Sequence, residues 1–204
     1  METLILTGSP RKKGNTEILA AAVAKQLQDN NVSVQLSRLA DLAIHPCLGC
    51  GGCEKEGNCV IDDDMQTLYQ RIINADKIII ASPIYFYGLT AQTKAFIDRC
   101  QALWSRKYLL KQCIPSDNQR RGYLISVAAT RGKQVFTGAE LCARYVFDAM
   151  DVLYDGGLFY PGVDTRGAIR KHPDFPQKLN AFVQSILKKD CRKISFPGNS
   201  KKAP

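Results

Sequence analysis

Six residues, 77–82 (KIIIAS), constrain the fold more than any other stretch of this chain. Their apolar side chains are continuous rather than alternating, and a strand of that kind is covered on both faces. Sheets covered on both faces are parallel, and parallel neighbours need long crossovers, usually helices. The chain should therefore alternate strands and helices, and it does. Further strand-like runs are 3–7 (TLILT), 32–39 (VSVQLSRL), 122–129 (GYLISVAA) and 152–160 (VLYDGGLFY). The second of these alternates apolar and polar residues, as a half-exposed edge strand does, and Gly156-Gly157 in the last predicts a bulge or kink.

Between the strands, apolar residues recur at spacings of three and four. Ile18, Leu19, Ala22, Val23 and Leu27 mark one helix, whose start falls near Asn15 as N-cap. Met65, Leu68, Tyr69, Ile72 and Ile73 mark a second, with Asp62-Asp63-Asp64 as its acidic start; a magnesium site is the alternative reading of the three carboxylates. Phe96, Ile97, Cys100, Leu103 and Trp104 mark a third, leaving Lys94, Asp98 and Arg99 to solvent or a partner subunit. Val135, Ala139, Cys142, Tyr145, Val146 and Ala149 mark a fourth, and Phe175, Leu179, Phe182, Val183, Ile186 and Leu187 a fifth. Both Cys100 and Cys142 thus read as core thiols. Five strands and five helices imply one doubly wound α/β domain, three layers with a five-stranded parallel sheet in the order 2-1-3-4-5.

That domain takes residues 1–190, interrupted by a Cys-rich loop at 45–61 and an excursion at 106–119, and a basic flexible tail occupies 191–204. With 204 residues, 45% of them hydrophobic, the chain can bury one full core. No apolar run is long enough to cross a bilayer, and no positive leader precedes the first strand, so a soluble cytoplasmic protein is expected. The net charge of +9 invites a nucleic-acid reading, but no basic helix interleaved with aromatics appears, and the class is disfavoured.

Ligands of doubly wound sheets bind at the carboxyl ends of the strands. The loop after the first strand, Gly8-Ser9-Pro10-Arg11-Lys12-Lys13-Gly14-Asn15-Thr16, leads into a helix N-terminus, where free N–H groups and the helix dipole favour an anion. Ser9, Asn15 and Thr16 can donate hydrogen bonds, Arg11 and Lys13 add charge, and Gly14 permits close backbone approach. Neither the Walker nor the dinucleotide glycine pattern is present, which leaves a monophosphate; the plainer alternative is a turn that simply needs Gly and Ser. After the third strand come Pro83, Ile84, Tyr85, Phe86, Tyr87 and Gly88, whose aromatics either wall a flat ligand or pack in the core. After the fourth come Ala129, Thr130, Arg131 and Gly132, facing the same crevice. A phosphate socket, a flat wall and a third polar loop together describe FMN.

Four thiols, Cys47, Cys50, Cys53 and Cys59, fall in the thirteen residues CLGCGGCEKEGNC, with four glycines to let the backbone curl. The C-x2-C-x2-C run with a nearby fourth Cys suits a [4Fe-4S] cluster. Zinc, with His45 as a substitute ligand, and a thiol loop without metal are the alternatives.

GSPRKKGNT, SPIYFYGLTAQTKAFIDR and CLGCGGCEKEGNC followed by VIDDDM resemble the NADPH-dependent FMN reductase branch of the flavodoxin-like superfamily, and the compact Cys loop is similar to that of iron-sulfur flavoproteins. The resemblance implies that Ser9, Arg11, Asn15 and Thr16 hold the FMN phosphate, Pro83 to Gly88 the ring and ribityl chain, and Ala129 to Gly132 the other ring edge. It implies a [4Fe-4S] cluster on Cys47, Cys50, Cys53 and Cys59, and a homodimer or homotetramer. The expected activity is NAD(P)H-dependent reduction of FMN or a quinone, with the flavin rather than a side chain carrying the chemistry, and with Arg11 and Arg131 favouring its anionic reduced form. Two other classes remain open: an electron carrier fed by a ferredoxin-like partner, and a zinc-stabilised binding module.

Overall fold

The structure, a computed structural model, describes residues 2–114 and 119–188. The tail at 191–204 and the centre of the 106–119 excursion lie outside the described residues. The elements in chain order are β1 (Glu2–Thr7), α1 (Asn15–Asp29), β2 (Ser33–Arg38), the one-turn α2 (Cys53–Glu56), α3 (Met65–Asn74), β3 (Lys77–Pro83), α4 (Ala91–Arg99), α5 (Gln101–Trp104), β4 (Arg121–Ala128), α6 (Thr137–Ala149), β5 (Leu153–Pro161) and α7 (Phe175–Lys188). The sheet is parallel throughout, in the order β2-β1-β3-β4-β5. Among the described residues, no helix is long and apolar enough to cross a membrane.

Two cores explain the three layers. Leu4, Leu6, Ile78, Ile80 and Leu124 point to one face and pack against α3, α4, α5 and α6. Ile5, Ile79, Ala81, Tyr123 and Ile125 point to the other and pack against α1 and α7. The alternation of β3 between these two faces is what makes its apolar run continuous. The predicted bulge is present: Gly122 pairs with Tyr154 and Leu124 with Gly157, so Asp155 and Gly156 together oppose Tyr123.

Four local expectations are corrected. Asn15 is the first residue of α1 rather than its N-cap; Gly14 occupies that position without a side-chain cap. On α6 the buried stripe is Ala139, Ala143, Val146, Phe147 and Ala149, while Cys142 is only partly covered and Tyr145 is exposed. The stripe is rotated because Phe147, absent from the expected set, packs against Gly122 of β4, where a Cβ would lie 2.5 Å from its ring. Arg99 is not solvated but 1% exposed. Finally, a π-helical turn at Ser105–Leu109 prolongs the α4–α5 segment, so the excursion begins later than residue 106.

The sheet order reverses between β1 and β3, and there the chain is tightly knit. The Gly8 N–H donates to Ala81 O at 2.8 Å, and Thr90 Oγ1 donates to Gly8 O at 2.6 Å. A Cβ on Gly8 would fall 1.7 Å from Thr93 Oγ1, so only glycine lets α4 approach this closely.

Candidate functional site

Two concavities hold the residues singled out in the sequence. The first is a groove of about 290 Å³ at the carboxyl edge of the sheet, lined by Ser9, Arg11, Gly14, Asn15, Thr16, Pro83, Ile84, Tyr85, Phe86 and Ala129 together with Val127, Val163, Asp164 and Arg166. Its polar end is the turn before α1. The Ser9 hydroxyl accepts from the Arg11 N–H at 3.3 Å, and Ser9 and Thr16 are both buried. The first N–H groups of α1 have no partner inside the helix, so they and the dipole favour an anion here. The socket fits a phosphate: Gly14 leaves room that a Cβ, 3.3 Å from Ser9 Oγ and 3.0 Å from Arg11 O, would crowd.

The predicted donors divide. Asn15 is committed to the loop after β5: its Nδ2 donates to Thr165 O at 2.9 Å and its Oδ1 accepts from the Ile169 N–H at 3.3 Å. It therefore fastens the socket's outer wall. The same loop supplies Arg166, which donates to the carbonyls of Lys12 and Lys13 and adds a positive charge at the rim. The Lys13 N–H itself goes to Glu17, whose carboxylate also pairs with Arg38 at 2.8 Å.

The aromatic end is a tight hairpin. Tyr85 and Gly88 exchange two backbone hydrogen bonds of 2.9 Å, and Phe86 and Tyr87 between them have φ of 50° and 61°. Two left-handed residues are what a two-residue hairpin of this hand requires, but glycine or asparagine normally fills them. Phe86 is fully exposed at the mouth of the groove. Tyr87 turns away from the groove and rests on the fourth-strand loop, where a Cβ on Gly132 would meet its hydroxyl at 2.2 Å. Thr130 O accepts from the Gly162 N–H, and Arg131 lies against Gly162. Lys13, Tyr87, Gly88, Thr130, Arg131 and Gly132 thus surround and brace the groove without lining it; of the third loop only Ala129 does. The missed Val163, Asp164 and Arg166 had one available signal, a Gly-containing loop after a strand at the same edge of the sheet.

The second concavity, of about 410 Å³, is lined by Cys47, Cys50, Cys53 and Cys59 and floored by Arg99 and Ala102. Among the described residues, no three His, Cys, Asp or Glu side chains gather tightly enough to hold a single ion. All four sulfur-bearing residues nonetheless open on one space, and that donor set, thiols facing a shared cavity, fits a sulfur-ligated group.

The loop that carries them is tethered at three points. At its base, the Arg99 guanidinium makes a bidentate pair with Asp63, at 2.6 and 3.0 Å, and donates to His45 O at 2.9 Å and Ile61 O at 3.3 Å. Asp63 in turn accepts from the N–H groups of His45 and Met65. Asp64 accepts from the Ala43 N–H at 2.7 Å, and Gln66 donates to the carbonyls of Cys59 and Ile61. At the far end, Arg106 donates to Gly57 O at 2.7 Å and to Asn58; Gly57 has φ of 72° and sits where a Cβ would strike the Arg106 stem. The aspartates read as a helix start therefore fold the Cys loop, which no local pattern foretold. Burial alone would raise the Asp63 carboxyl, but the Arg99 hydrogen bonds, with those from His45 and Met65, outweigh it and hold the group at about 2. Burial would lower Arg99, yet Asp63 keeps it raised and charged.

The profile of the NADPH-dependent FMN reductase family matches residues 1–140. An iron-sulfur flavoprotein of Methanosarcina thermophila is 32% identical over 147 residues, 72% of this chain and 71% of that protein. One of Methanocaldococcus jannaschii is 37% identical over 103 residues, 50% of this chain and 53% of that protein, so the chain spans about half the length of this relative. Among solved structures, an NAD(P)H:quinone oxidoreductase from Methanothermobacter marburgensis superposes with a TM-score of 0.70 at 15% identity, covering 91% of this chain and 97% of that one. At that identity the likeness speaks for the flavodoxin-like fold alone.

Proposed function

Because this chain belongs to the NADPH-dependent FMN reductase family, in its iron-sulfur flavoprotein branch, we propose that it is an FMN-dependent NAD(P)H oxidoreductase whose Cys loop holds a [4Fe-4S] cluster. The observation that carries the reading is the groove: an anion socket before α1 and an exposed aromatic hairpin after β3 meet in one space at the point where the strand order reverses. Bound there, FMN supplies two-electron acceptance from a reduced nicotinamide and one- or two-electron release to an acceptor.

The chain's own residues do the placing. Ser9, Thr16 and the first turn of α1 take the phosphate by hydrogen bonds, and Arg11 and Arg166 neutralise it. Tyr85 and Phe86 offer flat faces to the ring at the mouth, where a small-molecule acceptor such as a quinone also has access. Cys47, Cys50, Cys53 and Cys59 are the ligands available to the cluster. No acid, base or nucleophile is needed from the protein. The exposed Trp104, Leu141 and Tyr145 on α5 and α6 supply an apolar face for a homodimer.

The four-thiol concavity favours a second reading, a one-electron carrier fed by a ferredoxin-like donor. An absorbance spectrum of protein purified without oxygen, with iron, acid-labile sulfide and zinc assayed on the same sample, tests both. Flavin bands with about four irons per chain are expected, and steady-state NAD(P)H oxidation with FMN or a quinone separates enzyme from carrier. A colourless protein carrying zinc would overturn both readings in favour of a binding module.

A further inference from the structure

The Cys loop also meets the body of the domain through one of its sulfurs. Ser105, fully buried, opens the π-helical turn that follows α5, and its hydroxyl donates to Cys53 Sγ at 3.5 Å. A serine within a helix commonly turns its hydroxyl back on the carbonyl four residues earlier. Here it crosses to α2 instead, of which Cys53 is the first residue. The next residue, Arg106, takes the other end of the same short helix at Gly57 O. Two consecutive residues thus hold both ends of α2 from a turn that the Leu110 N–H closes on Ser105 O at 3.0 Å, and π turns of this kind recur at functional sites.

Cys47 accepts a hydrogen bond as well, from the Gly49 N–H at 3.5 Å, but that donor belongs to the loop and moves with it. The Ser105 donor is fixed by the helix, and its burial keeps water from replacing it. Its acceptor is a thiol that lines the concavity shared by Cys47, Cys50 and Cys59. A thiolate has no proton to give, so once the sulfur is ligated the serine must be the donor. We propose that Ser105 is a positioning residue for Cys53, whose hydrogen bond holds the sulfur in place at the concavity and favours the reduced state of the cluster it ligates. The inference rests on the iron-sulfur reading above. A hydrogen bond to a ligating sulfur stabilises added negative charge and so raises the reduction potential.

The test uses the full chain, reconstituted without oxygen with iron and sulfide. Ser105→Ala removes the donor and little else. Its reduction equilibrium is expected to shift about tenfold toward the oxidised cluster, which is about 59 mV for a one-electron couple. Arg106→Lys keeps its charge and loosens the far end of α2 without touching a sulfur, so its potential should stay near that of the wild type. In the iron-free chain, Ser105→Ala should speed amide hydrogen exchange across residues 53–57. A wild-type chain that takes up no iron and sulfide would overturn the iron-sulfur reading and this role with it. A cluster that forms but has an unchanged potential in Ser105→Ala, or an equal shift in Arg106→Lys, would overturn the role of Ser105 alone, as would unchanged exchange at residues 53–57. Should Ser105→Ala fail to fold by circular dichroism, Ser105→Cys, whose S–H is a weaker donor, decides: an unchanged or raised potential rejects the proposal.

Discussion

The groove at the carboxyl edge takes its walls from turns that directly follow strands, whereas the four-thiol concavity takes its shape from two arginines that reach it from a later helical segment. In the groove, residues near in sequence do the work together: Ser9, Arg11, Gly14 and Thr16 lie within one loop, and Tyr85 and Phe86 within one hairpin. In the concavity, Arg99 reaches back to His45 and Ile61, and Arg106 to Gly57. A site built from local turns inherits its geometry from the sheet. A site built by long-range tethers depends on a few ionic contacts, and should fail separately from the rest.

Asp63→Ala gives the most forceful test of that separation. It leaves Arg99 buried without its counter-ion, and breaking such a pair typically costs about 3–5 kcal/mol. Thermal unfolding should register a loss of this size, while FMN affinity at temperatures where the chain remains folded should change little. A parallel collapse of FMN binding would mean that the two regions are one cooperative unit. The converse change is Gly8→Ala, which forces Thr93 and α4 away from β1. It should destabilise by up to about 3 kcal/mol and weaken FMN binding, with hydrogen exchange in residues 45–61 close to wild type.

Acid sharpens the comparison without mutation. Asp63 sits at about 2 against an ordinary 3.8, so the unfolded chain binds the proton more readily than the folded one. The stability that this carboxylate contributes, about 2 kcal/mol, is complete above pH of about 4 and is lost as pH falls toward 2. Exchange of the Cys-loop amides should rise over that window before the circular dichroism of the sheet changes. The smallest effect is expected at the rim: Arg166→Gln removes one exposed charge from the socket and should weaken FMN about three- to tenfold by titration, roughly 1 kcal/mol, with the deficit shrinking at high salt.

The same contrast explains what could be read from the sequence. The strand order, the two-faced burial of β3, the bulge at Gly156 and ten of the groove's lining residues follow from patterns a few residues long. Arg99 lies off the apolar stripe of its helix, which leaves it to solvent or a partner subunit by periodicity, and periodicity cannot see a carboxylate folded in from residue 63. Asn15 was legible as a polar residue at a helix start but not as a fastener of residues 164–169, since that contact spans about 150 positions of chain. Spacing alone puts Cys142 and Tyr145 on the buried stripe; the large ring of Phe147 takes the buried position instead and turns the helix.

The hairpin at Tyr85–Gly88 has a thermodynamic consequence for association. Holding Phe86 and Tyr87 left-handed is unfavourable by roughly 1–2 kcal/mol per residue, and in the free chain Phe86 gains no compensating contact from burial. A flat molecule that covers this ring therefore meets a turn whose backbone is already formed, and that part of the ordering penalty which a floppy loop would impose on association is met during folding. Affinity at this end of the groove should be set largely by how slowly such a guest departs rather than by a loop that must close over it.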